Sequence, residues 1–295
     1  MTPLILADDF AGACDSAARA AAAGYSASAI LTPPPASLDA DLLAVSTETR
    51  HSSPAAARAA IRSLEALLRG RALYKKIDST LRGPWIDEVD ELLLCTDYSQ
   101  ALVCPAFPDQ GRTVLHGWLY VGGQPARRID CPFTVRDAST EDDLARIAAD
   151  LCSSILPVGS AGLAFHFFRR DRPSATPQTP ALRPQPGPWL VLIGSSHPSS
   201  RAQLQFLRDA RLPNVLINPD SYPSSLSGAF ATGGETAARF LRAAGASGIA
   251  LLRELLPGVP AGLILGGRYN GAVMITKAGG FGAPDAILRA LEFVL

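Results

Sequence analysis

The sequence predicts an α/β protein of two domains, each with a mostly parallel sheet flanked by helices, and a cleft between them. Short apolar runs of strand length alternate with longer Ala-, Leu- and Arg-rich segments at helical spacing. A proline-rich stretch then removes backbone donors and disfavours both helix and sheet, and the alternation restarts beyond it. We therefore expect an N-terminal domain over 1–171, a linker over 172–188 and a C-terminal domain over 189–295.

Strand and helix segments follow one another through the N-terminal half. The first three pairs are Leu4–Ala7 with Ala11–Ala23, Leu42–Val45 with Pro54–Leu68, and Leu73–Ile77 with Pro84–Leu94. Gly24 and Gly70 fit the left-handed conformation that ends a helix, and Pro84 fits a first helical turn. The next segments are strand Ala101–Cys104, a hairpin through Gly117–Pro125, strand Phe133–Arg136, helix Glu141–Leu151 and strand Ile155–Val158.

The C-terminal half repeats the alternation. Its segments are strand Trp189–Ile193, helix Ser199–Ala210, strand Val215–Asn218, helix Glu235–Ala244 and a closing strand and helix between Ala272 and Val294. The sequence contains no internal repeat. These segments predict a second, smaller α/β domain.

Composition limits the class of partner. The 295 residues are 47% hydrophobic and 18% charged with a net charge of zero, which argues against binding to nucleic acid or to an anionic membrane. No apolar run approaches the roughly 20 residues of a membrane-spanning helix, and Met1–Ala7 lacks the basic segment of a signal peptide. The five cysteines are scattered without a C-x-x-C pair, so we expect a reduced, cytoplasmic protein.

Two adjacent carboxylates follow the first strand. Asp8 and Asp9 stand where a helix begins, and Asp15 lies further along that helix. Aspartate at a helix start accepts hydrogen bonds from free backbone N–H groups, so capping is one interpretation. Two carboxylates in a row exceed what capping requires, and ligands gather beyond the carboxyl ends of parallel strands. We therefore favour a ligand site here.

Charged residues also follow the second and third strands. Thr47-Glu48-Thr49-Arg50 is, on its own, slightly more typical of a solvated loop with a local ion pair. The third segment runs from Lys75 to Gly83 and includes Lys76, Asp78, Ser79, Thr80 and Arg82. Arginine binds a carboxylate or phosphate through two hydrogen bonds, and lysine adds a point charge. This segment predicts an anion site.

Glycine-rich turns follow three strands of the C-terminal half. They are Gly194-Ser195-Ser196-His197, Thr232-Gly233-Gly234-Glu235-Thr236 and Lys277-Ala278-Gly279-Gly280-Phe281-Gly282. Glycine lets backbone N–H groups approach a phosphate, and a following helix N-terminus adds partial positive charge. Each turn alone is also typical of a plain tight turn. Three of them beside a charged N-terminal half favour a nucleotide.

Generic motifs decide little. The chain lacks G-x-x-x-x-G-K-[ST], and it lacks G-x-G-x-x-G after a strand, which disfavours a nicotinamide-dependent oxidoreductase. Gly159-Ser160-Ala161-Gly162-Leu163 is not G-x-S-x-G, so a serine hydrolase is disfavoured as well.

Seven segments, in order along almost the whole chain, resemble the four-carbon acid sugar kinase family. The family pattern is ADDxTGAxD, a TESR-like segment, KxDSTLRG, PAFPxxGR, GSAGLA, GGET and KxGxFG. The matching segments are Asp8 to Asp15, Thr47 to Arg50, Lys76 to Gly83, Pro105 to Arg112, Gly159 to Ala164, Gly233 to Thr236 and Lys277 to Gly282. Together they are far more specific than one glycine-rich loop.

The resemblance implies transfer of a phosphoryl group from ATP, with Mg²⁺, to a terminal hydroxyl of threonate, erythronate, 3-oxo-tetronate or a similar acid. The implied catalytic residues are Asp8, Asp9, Asp78 and Arg82, and the implied substrate-binding residues are Asp15, Arg50, Lys76, Ser79 and Thr80. The implied ATP-binding residues are Ser195, Ser196, His197, Gly233, Gly234, Glu235, Thr236, Lys277, Gly279, Gly280 and Gly282. Three points stay open. The sequence does not show which aspartate accepts the hydroxyl proton, which residues hold the metal, or whether the chain forms a homodimer.

The sequence also departs from the family pattern. Ala11 replaces a threonine, Ser46 replaces an acid, and His197 stands where a small hydroxyl residue is expected. The chain is shorter than members of the family by many tens of residues, with the shortening placed at 129–133 and 218–228. A catalytically degenerate protein that binds a sugar acid or a nucleotide in a regulatory role is therefore the alternative hypothesis.

Overall fold

A computed structural model describes residues 2–31, 40–172, 174, 181–194 and 197–295. Residues 173 and 175–180 of the predicted linker over 172–188 lie outside the described residues, as do Ser195 and Ser196. The described residues form sixteen strands, nine α-helices and one 3-10 turn at Pro108–Gln110. None of the described helices is long and apolar enough to cross a bilayer.

The strands are numbered in chain order. They are β1 (Leu4–Ala7), β2 (Ala27–Leu31), β3 (Leu42–Ser46), β4 (Leu73–Lys76), β5 (Gln100–Cys104), β6 (Arg112–Leu115), β7 (Trp118–Val121), β8 (Gln124–Arg128), β9 (Thr134–Val135), β10 (Ile155–Gly159), β11 (Trp189–Ile193), β12 (Val215–Ile217), β13 (Gly228–Thr232), β14 (Gly248–Leu256), β15 (Val259–Leu265) and β16 (Val273–Lys277). The helices are α1 (Phe10–Ala22), α2 (Pro54–Ser63), α3 (Glu65–Leu68), α4 (Trp85–Cys95), α5 (Glu141–Asp150), α6 (Ala161–Asp171), α7 (Pro198–Ala210), α8 (Gly234–Ala243) and α9 (Ala286–Glu292).

Thirteen strands form one sheet in the order β12-β11-β13-β16-β15-β14-β2-β3-β1-β4-β10-β5-β9. It contains two parallel blocks, β12 to β16 at one side and β2 to β9 at the other. The antiparallel hairpin β14–β15 joins them, with β14 paired to β2. The predicted mostly parallel α/β class is confirmed. The sheet itself is continuous between the two halves, and the division into two domains stays a prediction.

Helix α1 connects the two parallel blocks. Its Ala-rich sequence has mostly small side chains, so the helix can pack closely against its neighbours, and nearly all of it is buried. It packs against β2, β3 and α6 on the N-terminal side, and against β14 and α8 from the C-terminal half. The start of α1 therefore lies where the two halves of the chain meet.

The expected elements did not include β2, β13 or α6, and three further local features differ. The predicted helix over Pro54–Leu68 is interrupted at Leu64, which separates α2 from α3. The predicted hairpin through Gly117–Pro125 is part of a separate three-stranded sheet, β6-β7-β8. The long hairpin β14–β15, which was not among the expected elements, turns at Pro257-Gly258, a dipeptide typical of turns.

Candidate functional site

The three charged strand ends of the N-terminal half lie side by side. Strand β1 is parallel to β3 and to β4, and Ala7 is paired with both Ser46 and Lys76. The loops that leave these strands therefore start at the same edge of the sheet.

Arg50 binds the two adjacent aspartates. Its Nε and Nη2 donate to the two carboxylate oxygens of Asp8 at 2.8 and 2.7 Å, and its Nη1 donates to Asp9 Oδ2 at 2.6 Å. Burial by itself would raise the pKa of Asp8, but the Arg50 guanidinium outweighs it and holds that pKa below its usual value. The other oxygen of Asp9 caps α1 by accepting from the Gly12 N–H at 2.8 Å.

The solvated-loop interpretation of the second strand end is wrong. The Arg50 side chain is only 9% exposed, and Thr49 is buried beside it. Thr49 donates to Glu88, whose other carboxylate oxygen lies 3.0 Å from the Lys75 ammonium in a fully buried ion pair. The loop is part of the interior because Arg50 is paired with Asp8 and Asp9, and Thr49 is bonded to the buried Glu88.

Asp78 and Arg82 form a second ion pair at the third strand end. Arg82 Nε and Nη2 donate to the two oxygens of Asp78 at 2.8 and 2.7 Å, and Thr80 donates to the same carboxylate. Although burial opposes it, hydrogen bonding from Arg82 and the nearby charge of Arg50 hold the pKa of Asp78 well below its usual range. Asp78 is therefore ionised at neutral pH.

Lys76 and Asp15 extend the charged cluster. Lys76 is almost fully buried and donates to the Ile77 carbonyl at 2.9 Å. Burial raises the pKa of Asp15, against the opposing charges of Lys76 and Arg19. One oxygen of Asp15 is buried and has no hydrogen-bond partner among the described residues.

The second glycine turn packs directly on this cluster. Gly233 has a positive φ of 92°, and α8 begins at Gly234. A Cβ at position 234 would stand 2.8 Å from Asp9 Oδ2 and 2.8 Å from the Ala11 nitrogen, so any larger residue would force these neighbours to move. The N-terminus of α8 therefore reaches the N-terminus of α1.

Lys277 has a structural position in the third turn. Its ammonium donates to the carbonyls of Ala278 and Phe281 at 2.8 and 2.9 Å, and burial lowers its pKa to about 8. Lys277 and Gly282 do not line the two cavities described next, whereas Gly279 and Gly280 do. Its contacts are therefore with the turn itself, and the expected role of Lys277 at the nucleotide stays a prediction.

Two cavities open beside the cluster. The first, of about 320 Å³, contains the predicted substrate residues Asp15, Lys76, Ser79 and Thr80, together with Asp78. The second, of about 650 Å³, contains Asp8 and the predicted ATP-binding residues Gly233, Gly234, Glu235 and Thr236. Six of the described residues line both cavities: Asp9, Arg50, Arg82, His197, Ala278 and Gly280. We call these six the shared wall.

Sequence reasoning did not nominate several cavity residues. In the first cavity these include Arg112, Phe107 and Phe281, and in the second Glu48 and Arg242. Arg112 lay inside the PAFPxxGR segment, so its place in the motif was the available signal. Phe281 could not be assigned because its contact with Arg112 joins residues far apart in the chain.

The described residues contain no group of three His, Cys, Asp or Glu side chains that could hold a metal ion. Mg²⁺ in phosphoryl-transfer sites keeps several waters and uses one or two carboxylates together with substrate phosphates. The carboxylates of the second cavity fit a metal that enters with a nucleotide, but they do not form a separate metal site.

Comparison with known proteins finds two family models that match this chain. A family model described as a sugar-binding N-terminal domain matches residues 4–132, and one described as a nucleotide-binding C-terminal domain matches residues 221–287. D-threonate kinase from Bordetella bronchiseptica is 30% identical over 98% of this chain and 96% of the relative. D-erythronate kinase from Heliobacterium modesticaldum is 32% identical over 46% of this chain and 32% of the relative.

A solved structure supports the same relationship. A Bordetella bronchiseptica protein, described as a domain-swapped dimer with bound citrate, is 29% identical and covers 99% of this chain and 98% of its own, with a TM-score of 0.52. The nucleotide-binding domain model and the kinase relatives show that the chain is a phosphotransferase with an alcohol group as acceptor. The chain belongs to the family of four-carbon acid sugar kinases.

The expected shortness of the chain is also visible. The alignment with the Bordetella bronchiseptica kinase extends over 400 positions, whereas this chain has 295 residues. More than 100 aligned positions of that relative therefore have no counterpart here.

Proposed function

We propose that this protein transfers the γ-phosphoryl group of ATP to the terminal hydroxyl of a four-carbon sugar acid such as threonate, erythronate or 3-oxo-tetronate. The shared wall is the observation that carries the proposal. A sugar acid in the first cavity and ATP in the second would meet at Asp9, Arg50 and Arg82, which line both. Phosphoryl transfer depends on this kind of alignment.

Asp9 is the carboxylate best placed to act on the hydroxyl. Among the described residues it is the only carboxylate that lines both cavities, because Asp15 and Asp78 line the first alone and Asp8 lines the second alone. The hydroxyl oxygen forms a bond to the γ-phosphorus while the bond from that phosphorus to the β–γ bridging oxygen breaks. ADP leaves, and Asp9 orients the hydroxyl and receives its proton.

Arg50 and Arg82 supply positive charge at the same place. Both guanidiniums are held by carboxylates, so their positions are fixed before substrate arrives. Fixed cations stabilise the charge of a transferring phosphoryl group without a reorganisation cost. The positive end of α8, with its free N–H groups from Gly234 to Thr236, would face the nucleotide phosphates.

The remaining parts of the proposal follow from this arrangement. Residues 1–171 would supply most of the sugar-acid site and residues 189–295 most of the nucleotide site. Mg²⁺ would arrive with ATP and be held largely by phosphate oxygens and water. Citrate in the Bordetella bronchiseptica structure supports an affinity for carboxylates, and its domain-swapped dimer supports a homodimer here.

The test is an ADP-release assay with Mg-ATP and a panel of threonates, erythronates and their oxidised forms. We expect one acid to stimulate release, Asp9→Asn to lower kcat by at least about 10²-fold, and Asp130→Asn, an exposed control, to change little. Full activity in Asp9→Asn would remove Asp9 from this role, and no release with any acid would contradict the kinase.

The alternative is a binding protein without catalysis, which the missing aligned positions favour. Calorimetry separates the two on the same samples. Tight binding of ATP and an acid without ADP release would support the alternative.

A further inference from the structure

The cations that line the first cavity differ in whether the chain already neutralises them. Arg50 is bound by Asp8 and Asp9, and Arg82 is bound by Asp78. Lys76 donates to the Ile77 carbonyl and interacts with the charges of Asp8 and Asp15. A substrate carboxylate that approached Arg50 or Arg82 would compete with an ion pair already formed.

Arg112 is different. Within the described part of the chain, no carboxylate oxygen lies within 4.0 Å of its guanidinium, and its buried Nε has no hydrogen-bond partner. Its Nη1 donates to the Gln110 carbonyl at 2.8 Å, and its central carbon lies 4.6 Å from the centre of the Phe281 ring. Two contacts thus fix the guanidinium at the cavity wall without neutralising its charge.

The electrostatics agree with that geometry. Burial lowers the pKa of Arg112, and the more distant carboxylates of Asp78 and Asp15 do not compensate for it. A half-buried guanidinium that lacks a counter-ion is stabilised when an anion binds to it.

The position of Arg112 also gives the ligand a direction. Arg112 and Phe281 line the first cavity but not the second, so they are not part of the shared wall. An acid held at Arg112 by one end would present its other end to Asp9 and Arg82.

We propose that Arg112 binds the carboxylate of the sugar acid and thereby directs the distal hydroxyl to the shared wall. This inference rests on the proposed function for the identity of the acid. It makes Arg112 the residue that distinguishes an acid from the neutral sugar derivatives of the same length. Phe281 packs against the guanidinium and is a positioning residue.

The experiment measures binding by calorimetry without nucleotide, using the acid found by the ADP-release assay, or threonate if none is found, and its neutral carboxamide. We expect the wild-type protein to prefer the acid by about 10- to 100-fold. Arg112→Gln should abolish that preference while leaving carboxamide affinity within a few-fold. Arg112→Lys should retain only part of it, because lysine lacks the planar fork.

Arg128→Gln is the matched control, because Arg128 is an exposed arginine on β8 of the same small sheet. It should keep the wild-type preference for the acid. An equal loss of affinity for acid and carboxamide in Arg112→Gln would overturn the proposal and assign Arg112 a structural role. A preference for the acid that Arg112→Gln retains would also overturn it. So would a wild-type protein that binds neither compound.

The two proposals fail separately. Acid binding that depends on Arg112, without ADP release, would leave the carboxylate site in place and contradict the kinase. ADP release that is unaffected by Arg112→Gln would support the kinase and contradict the carboxylate site at Arg112. When turnover is present, the same variant should raise KM for the acid far more than it lowers kcat.

Discussion

Asp9 and Gly234 are in direct contact across the two halves of the chain. A Cβ at position 234 would stand 2.8 Å from Asp9 Oδ2, and one at Gly12 would stand 2.7 Å from Asp9 Oδ1. The carboxylate is thus enclosed between the first turns of α8 and α1, and Arg50 holds it from a third side. The geometry of Asp9 therefore depends on both halves of the protein.

The first prediction concerns Gly234→Ala. Alanine is acceptable in the first turn of a helix, so the fold should be retained. The added methyl group would displace the Asp9 carboxylate, and a displacement near 1 Å can cost about 10²-fold in rate. We expect kcat for ADP release to fall by about that factor. Tm should fall as well, because the methyl group would also meet the Ala11 backbone nitrogen at 2.8 Å.

Arg239→Ala is the control for this prediction, since Arg239 is exposed on the same helix. It should retain wild-type kcat. If Gly234→Ala is fully active, Asp9 can move without consequence and its proposed role is wrong.

The second prediction concerns Arg50→Gln. This change leaves Asp8 buried without the guanidinium that binds both of its oxygens. Removing one partner of a buried ion pair typically costs about 3–5 kcal/mol, so we expect the free energy of unfolding in urea at pH 7 to fall by about 3 kcal/mol. Arg58→Gln removes an arginine that also bridges two aspartates, but at the surface, and it should change stability little.

The pH dependence follows from the lowered pKa of Asp8. A carboxyl group whose pKa is lowered in the folded state adds stability above its unfolded pKa, near 3.8, and loses it as the pH falls through the folded value. The difference between wild type and Arg50→Gln should therefore shrink below about pH 4. A constant difference down to pH 2 would mean that Asp8 is not the group that Arg50 stabilises.

Much of the site could be predicted from the sequence because it lies in local segments. Each charged strand end follows a recognisable strand, and the parallel order places these ends at one edge of the sheet. The pairing of β14 with β2 could not be predicted, since it joins Leu251 to Ala27 with no local signal. That pairing is what brings the glycine turns to the aspartates.

Adjacent residues on one strand can have different roles. Lys75 and Lys76 are adjacent, and alternation along β4 places one beside Glu88 and the other in the first cavity. Alternation alone predicts that the two lysines have different environments, and only the resemblance to the family motif indicated that Lys76 faces the ligand. Lys277 was assigned to the nucleotide from its motif, whereas its contacts are with backbone carbonyls.

The third prediction concerns Glu254→Gln. Burial raises the pKa of Glu254 to about 7, and Arg19, 3.5 Å away, offsets this only in part because it also binds Asp109. A carboxyl group with a raised pKa stabilises the fold below its unfolded pKa, and this contribution is lost as pH rises through the folded value. The stability of wild type relative to Glu254→Gln should therefore decline between about pH 4.5 and pH 7.

Glutamine keeps the oxygen that accepts from the Gly258 N–H at 2.6 Å, so the turn beside the first cavity should be preserved. Urea unfolding of both proteins across this pH range provides the measurement. If wild type instead gains relative stability as the pH rises, Arg19 outweighs burial at this site.

The last prediction separates Lys75 from the catalytic cluster. Lys75 and Glu88 form an ion pair in which both side chains are fully buried. Lys75→Met alone leaves Glu88 as an unpaired buried charge and should lower the free energy of unfolding by about 3–5 kcal/mol. The double variant Lys75→Met/Glu88→Leu removes both charges and should recover most of that loss, which urea unfolding of the single and double variants would show.

Because Lys75 does not line either cavity, kcat of the double variant should stay within a few-fold of wild type, whereas Lys76→Met should abolish acid-dependent ADP release. A double variant that folds as stably as wild type but has lost turnover would show that Lys75 contributes to the site through β4, and would contradict the assignment of the two lysines to different roles.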